Sequence, residues 1–442
     1  LLALRLAGTL LLAALLLGAC GPSGPTATPG PAGTAPAAGT AHGPALTFMV
    51  YGDLIDLQAY QDLLAAYQQQ YPAAQVALIP VAGQSDYENR LAADFSAGTP
   101  ADVVLVNYRR FPEFQSRGLL APVAPYLAQS TVLTTTDFYH LALVPFYHGR
   151  SLVCLPQSAS GLVVYYNRAL FDQAGLPYPA QRWDWADFLA TAQALTRDTD
   201  GDGQTDVYGF GTEVSLAGVV SFIWQARGNL VDNLLLPRRL ELIVPPGPVG
   251  VQWFTDLQVT YHIAPDAAAE AAESSESRFM NGRLGMYLNS RRGVAAYRAV
   301  EALDWDVAPL PAYKGRHTNL LTSDGYCLTS AAPDPAAAWH LIEFAASPAG
   351  QTILAGSGRL GPSLTAVAES PVFLDLATRP EHDQVFLDAL ASAWPLPPHS
   401  NWNEIEDIVN DEVKRAFYGQ ATVTDAIKTA ELRTEEYFKV HP

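Results

Sequence analysis

The chain has 442 residues, 49% of them apolar, and carries 26 Lys and Arg against 44 Asp and Glu, a formal net charge of −18. That balance excludes nucleic acid as a partner, because a polyanion is bound by concentrated basic charge, and it argues against charge-driven attachment to anionic lipid. Three cysteines, none in a CxxC pair, leave no framework for a zinc site.

The chain opens LLALRLAGTLLLAALLLGAC. One Arg5, a short apolar run and small residues before Cys20 have the form of a secretory signal peptide over residues 1–19. The unbroken stretch Leu10–Leu17 is too short for a bilayer span, which takes about 20 apolar residues. LGAC resembles the lipobox of bacterial lipoproteins, which implies lipid on the Cys20 sulfur. Residues 20–45 are dominated by Gly, Pro, Ala and Thr. They bury too little to offset their ordering entropy and read as a flexible tether. Roughly 400 residues then remain, more than one core usually holds, so two lobes are expected.

Leu46–Gly52 reads as a strand. Apolar residues at helical spacing follow from Leu57 to Tyr71, ending at Pro72. QVALIPV, a helix over YENRLAADFSAG and the almost wholly apolar PADVVLV complete a β-α-β-α-β rhythm, the pattern of a parallel sheet covered by helices. Ligands bind beyond the carboxyl ends of such strands. Those ends carry Tyr51, Gly52 and Asp53 after the first strand, and Asn107, Tyr108 and Arg109 after the third. GLVVYYN is another strand, and WDWADFLATAQALTRD a helix capped by Asp184. LGMYL is a strand ending at Asn289, followed by Arg291 and Arg292. DWDVAPLP is a further short strand, and DGYCLTS leads into the next helix. A helix starts after Asp334 with Pro335 in its first turn, and the chain from about Asp375 is mostly helical. Cys154 and Cys327 are far apart in sequence, and outside the cytoplasm a disulfide between them is permitted.

The helix after Asp184 runs into RDTDGDGQTDVYGFG. Asp198, Asp200 and Asp202 stand at alternate positions, Gly203 at the sixth and Asp206 at the ninth. A sixth-position glycine allows the sharp turn of an EF-hand-type loop, where the Gln204 carbonyl supplies the seventh position; hard oxygen donors suit Ca²⁺. The pattern departs at position twelve, where Gly209 replaces the expected Glu. A polar, Gly-rich turn is the alternative. No HExxH, GxSxG or P-loop occurs. GSGRLG (Gly356–Gly361) fits GxGxxG but follows a helix, so it is a loop and not a dinucleotide site.

Five segments in order, YENRLAADFSAGTPADVVLVN, GLVVYYNRALFDQAGLPYP with its following helix, SRFMNGRLGMYLN, WDVAPLP and DPAAAWHLIEFAASPAGQ, resemble the extracytoplasmic solute-binding proteins of ABC importers, the broad group that includes maltose-binding protein. The resemblance covers nearly all of Leu46–Phe438. It implies an α/β periplasmic-binding-protein fold (type II-like): two lobes, 46–158 plus 326–374 and 163–322 plus 376–442, with hinge crossings and ligand in the cleft between them. Crossings fall near Ser160-Gly161, Asp324-Gly325 and Leu374-Asp375. The resemblance puts the Asp198–Asp206 loop away from the cleft, as a structural Ca²⁺ site. It makes Asp53, after Gly52, an acceptor of sugar hydroxyls, and Trp402 a cleft aromatic. Trp394 and Trp224 divide evenly between cleft and core, while Trp183, Trp185, Trp305 and Trp339 fall at core spacing. Arg109 stands where the maltose-type pattern has Asp, and Arg291-Arg292 where a cleft aromatic is often found. Arginines clamp carboxylates or phosphates, so an anionic solute is the alternative to a neutral sugar. Tyr51, Asn107, Tyr108 and Asn289 complete the expected ligand set.

The function this implies is a lipid-anchored, extracytoplasmic, monomeric binding protein delivering a sugar or oligosaccharide to an ABC permease. The alternatives are an extracytoplasmic carbohydrate-active enzyme using paired carboxylates, and a sensory co-receptor on the same fold.

Overall fold

The computed structural model describes residues 45–439; the signal peptide, Cys20 and the tether as far as residue 44 lie outside them. Leu46–Tyr51 (β1), Leu54–Gln70 (α1), Val76–Val81 (β2), Gln84–Ala97 (α2) and Val103–Asn107 (β3) realise the expected alternation. β1 pairs in parallel with β2 on one side and β3 on the other. α1 buries Ala59, Tyr60, Leu63, Leu64 and Tyr67, a stripe at three- and four-residue spacing that faces the sheet core.

Leu120–Ala121 (β4) and Cys154–Pro156 (β5) extend this sheet. The chain then builds a second sheet from Val163–Asn167 (β6), Tyr208–Thr212 (β7), Leu284–Asn289 (β8) and Trp305–Ala308 (β9), in the order β9-β6-β8-β7. Trp185–Leu195 (α3) and Leu216–Gln225 (α4) flank β7 in sequence. Asp184 caps α3, accepting from the amides of Ala186 and Asp187. Asp324–Thr329 (β10) then returns to the first sheet, antiparallel to β3, β4 and β5. Pro335–Ala346 (α5), capped by Asp334, and Pro348–Gly356 (α6) follow it, and Trp402–Phe417 (α7) lies in the helical C-terminal part. No helix among the described residues is long and apolar enough to cross a membrane.

The outgoing β5 and the returning β10 lie side by side, with Cys154 opposite Cys327, and these two residues form a disulfide. Just beyond β5, Ser160 bridges Thr322. The glycines expected at these crossings have a packing role. A Cβ on Gly161 would stand 2.8 Å from that of Ala389, and one on Gly325 would stand 2.8 Å from the Phe146 ring. Neither has a positive φ, so each is glycine because neighbours approach closely.

The disulfide closes a loop with a sequence separation of 173 residues between two fully buried cysteines. Replacing both by Ala should lower the unfolding free energy by about 2–5 kcal/mol. Denaturant unfolding of wild type and variant, with and without reductant, checks it: reductant should move only the wild type.

Candidate functional site

The carboxyl ends of β1 and β3 face those of β7 and β8 across a cavity of about 600 Å³. That volume lies within the range of small-molecule sites. On the first-sheet side, the Tyr51 hydroxyl donates to Asp324 Oδ2 at 3.0 Å and the Asn107 amide donates to Asp324 Oδ1 at 3.1 Å. Sheet register sets this up, because Asp324, the first residue of β10, sits opposite Asn107, the last of β3. Burial pushes the Asp324 carboxyl up, further than these two hydrogen bonds pull it down.

Asp53 has two tasks before any ligand arrives. It caps α1, accepting from the amides of Ile55 (2.8 Å) and Asp56 (3.3 Å), and it pairs with Arg359 at 2.5 Å. Arg359 Nε also meets Asp56 at 3.0 Å. Gly52 allows this packing: its φ is +148° and a Cβ there would stand 2.1 Å from the Asp56 carboxylate. Burial raises the Asp53 carboxyl, but Arg359 and the two amides outweigh it and hold the group below its ordinary value. Asp56 is more deeply buried, and burial lifts its carboxyl to about 6 despite Arg359.

The second-sheet wall carries Asn289 at the end of β8, Arg291 and Arg292 after it, Glu213 after β7, and Tyr287 and Glu276. Asn289 donates to the Tyr297 hydroxyl at 2.9 Å, and Tyr297 donates to Glu276 at 2.8 Å. Arg291 is 2% exposed. Its guanidinium is held by Asp383, lies 4.3 Å from the centre of the Phe373 ring and 4.9 Å from that of Phe386, and donates through Nε to the Gly358 carbonyl at 3.0 Å. Arg109 pairs with Glu406 on α7 at 2.5 Å. Neither Arg109 nor Arg291 is therefore a free clamp for an acidic ligand.

Of the ten expected ligand residues, Tyr51, Asp53, Asn107, Arg109, Asn289 and Arg291 line this cavity, and Tyr108, Trp224, Trp394 and Trp402 do not. Tyr108 is buried, and its hydroxyl accepts from the Leu396 amide at 3.2 Å. Trp402, the first residue of α7, is fully buried in the core. Trp224 is buried with its ring 6.1 Å from that of Trp394, which is 46% exposed. Sequence reasoning missed Asp56, Glu213, Glu276, Asp324 and Arg359 as wall residues. Asp56 carried a readable signal: Asp at N-cap and Asp three residues on form a reciprocal capping box.

In the acidic loop, one carboxylate oxygen from each of Asp198, Asp200 and Asp206 lies within 4.8 Å of the others. This exposed triad could hold a metal ion. Asp198 accepts from the amides of Gly201 (2.7 Å) and Gly203 (2.9 Å), and Gly203 has φ +87°. Asp202 accepts from the Gln204 amide at 2.7 Å and stands outside the triad. The loop enters β7 at the end opposite Glu213. From Asp206 to Glu213 is roughly 23 Å of extended chain.

The family model for bacterial extracellular solute-binding proteins matches residues 51–352. A binding protein of Brucella abortus is 21% identical over 353 residues, 79% of this chain and 82% of its own. An ABC substrate-binding protein from Listeria monocytogenes, solved in complex with cycloalternan, superposes with a TM-score of 0.82 at 21% identity, over 89% of this chain and 99% of that one. Maltose-bound MalE3 of T. maritima gives 0.75 at 21% over the same shares. UgpB of Mycobacterium tuberculosis, in complex with glycerophosphocholine, gives 0.76 at 20%, over 89% and 98%.

Burial lifts the Asp56 carboxyl of the folded protein to about 6, above its ordinary 3.8, so the folded state holds the extra proton between those values. Its ionisation therefore costs stability, fully above about pH 6 and progressively less as pH falls toward 3.8. Arg359 moderates that cost. Arg359→Ala should raise the Asp56 carboxyl by about one unit or more, read by carboxyl ¹³C NMR titration. An unchanged or lower value would contradict the pairing.

Proposed function

The chain belongs to the bacterial extracellular solute-binding proteins, and from that premise we propose that it captures a sugar or oligosaccharide in the cavity between its two sheets. It is a non-enzymatic solute-binding protein of an ABC transporter. The observation that supports the carbohydrate reading is the cavity wall. It is lined by hydroxyl, amide and carboxylate groups from both sheets, among them Tyr51, Asn107, Gln157, Glu213, Asn289 and Asp324. Such groups match the alternating donors and acceptors of a polyol. The residues proposed to touch the solute are Tyr51, Asp53, Asn107 and Asn289.

In the same reading, the two sheets with their helices act as lobes that close on the solute, and the closed surface is what the permease reads. Arg109–Glu406 and the hydrogen bond from the Asn403 amide to Glu113 at 2.7 Å join the first-sheet side to α7. Both would help to hold the lobes together. Lipid on Cys20 and a tether over residues 20–45 keep the receptor beside its permease. Ca²⁺ in the Asp198–Asp206 loop, with the Asp202 carboxylate and the Gln204 carbonyl as further ligands, is a structural rivet: it relieves repulsion among close carboxylates and ties the chain entering β7.

A saccharide at a hundred times its Kd should stabilise the protein by about 2.7 kcal/mol and be recovered intact. Thermal shift across mono-, di- and oligosaccharides, followed by chromatography of the ligand, checks both. No shift with any saccharide overturns the carbohydrate reading, and turnover overturns the receptor reading. Chelation should lower Tm and leave saccharide affinity within about twofold, since the loop lies a strand's length from the cavity. Calorimetric titration of Ca²⁺ into chelator-stripped protein tests the loop directly, and no uptake at millimolar Ca²⁺ would reduce it to a polar turn.

A further inference from the structure

Four arginines line the cavity, and three of them are already neutralised. Arg109 pairs with Glu406, Arg291 with Asp383, and Arg359 with both Asp53 and Asp56. Arg292 is exposed, lines the cavity and makes no ion pair among the described residues. Against it stand three wall carboxylates, Glu213, Glu276 and Asp324, that make no ion pair within 4.0 Å among the described residues. Glu213 is exposed, and among the described residues its carboxylate accepts no hydrogen bond and makes no ion pair. Glu276 is held by the neutral donors Tyr297 and Asn289, and Asp324 by Tyr51 and Asn107. Even with Asp324 protonated, Glu213 and Glu276 outnumber Arg292.

A cleft with low-dielectric walls concentrates the field of its own charges. An acidic solute would lose its hydration and enter a negative potential. A neutral polyol would hydrogen-bond to the carboxylates and leave the imbalance standing. A solute bearing a cationic nitrogen cancels it. Tyr51 lines one wall and Tyr287 the other, and aromatic side chains favour such a group. Resting on the reading of this cavity as the solute site, we infer that the cavity selects a polyhydroxylated solute carrying a positively charged nitrogen, and that Glu213 determines that choice. The nitrogen can be the amine of an amino sugar or a quaternary ammonium, two sources of one chemistry.

The test is calorimetric titration of the purified protein at neutral pH and low salt. One arm uses sets of disaccharides in several linkages, each set with a neutral, an amino and a uronic member. The other uses choline and glycerol phosphate. The amino member should bind about tenfold tighter than its neutral counterpart and the uronic member about tenfold weaker, with both gaps shrinking at high salt. Glu213→Gln should reduce the amino-to-neutral affinity ratio about fivefold, a ratio that a purely structural role would not move. A neutral or uronic member binding as tightly as its amino counterpart overturns the inference and leaves the sugar reading intact. Choline binding with no disaccharide bound overturns the sugar reading and, with it, the polyhydroxylated solute inferred here. No binding in either arm overturns both.

Discussion

The pairing of β5 with β10 is the constraint on which the rest of the structure depends. The chain leaves the first sheet at Pro156, builds the whole second sheet, and returns at Asp324 to lie antiparallel beside the strand it left by. Once Cys154 and Cys327 are opposite one another and bonded, the exit and entry points of the inserted sheet are fixed together. Register then determines what faces the cavity. Cys327 opposite Cys154 brings Asp324 opposite Asn107 in the neighbouring pairing with β3. A slip of one residue would turn the Asp324 carboxylate to the other face of the sheet. The Tyr51 and Asn107 side chains would then lose their common acceptor.

That long-range register also explains what was legible in the sequence. Strands and helices showed through period and caps: the α1 stripe, Asp184 and Asp334 as caps, and the wholly apolar β3 all depend on neighbours a few residues away. Tyr51, Asp53, Asn107 and Asn289 could be placed at the cavity because strand ends alone bring them there. Asp324 could not, because its role is set by partners 217 and 273 residues distant, and locally it resembles a turn before a glycine. Arg109 was hidden in the same way, since its carboxylate partner lies 297 residues on. Trp402 shows the opposite failure. An aromatic at a helix start fits a cleft or a core equally well from sequence, and the amphipathic stripe of α7, with Ile405, Val409 and Val413, turns it inward.

Arg109, Arg291 and Arg359 are better understood as frame than as ligand contacts, since each is held in an ion pair. Arg359 gathers Asp53 and Asp56, fixing the start of α1 against the loop after α6. Arg291 is more extreme, with its guanidinium between two phenyl rings and its counter-ion Asp383 1% exposed. Burying such a pair costs several kcal/mol of desolvation per ion, which the attraction offsets only when the remaining donors are satisfied. The Gly358 carbonyl supplies that satisfaction for Nε. It also ties the end of β8 to the loop that carries Arg359. The two charged assemblies thus meet on adjacent residues, Gly358 and Arg359, and position both walls relative to one another.

β7 joins the two acidic features of the second sheet and keeps them apart. Asp206 lies before its first residue and Glu213 follows its last. The strand is in the sheet, bonded to β8 in parallel from Leu284↔Tyr208 to Leu288↔Thr212, so it cannot slide to bring them together. Gly209 and Gly211 within it leave room for the Ala192 backbone and for Ser275 and Leu284, locking α3 against it. The α3–β7 corner beside the aspartate loop is held by hydrogen bonds between Arg197 and Val207 and from Thr199 to Asp206. Glu213, by contrast, follows the strand just before α4 and lines the cavity together with Tyr287 and Arg292. Its electrostatic influence reaches those residues. One short strand thus separates the aspartate triad from the cavity wall.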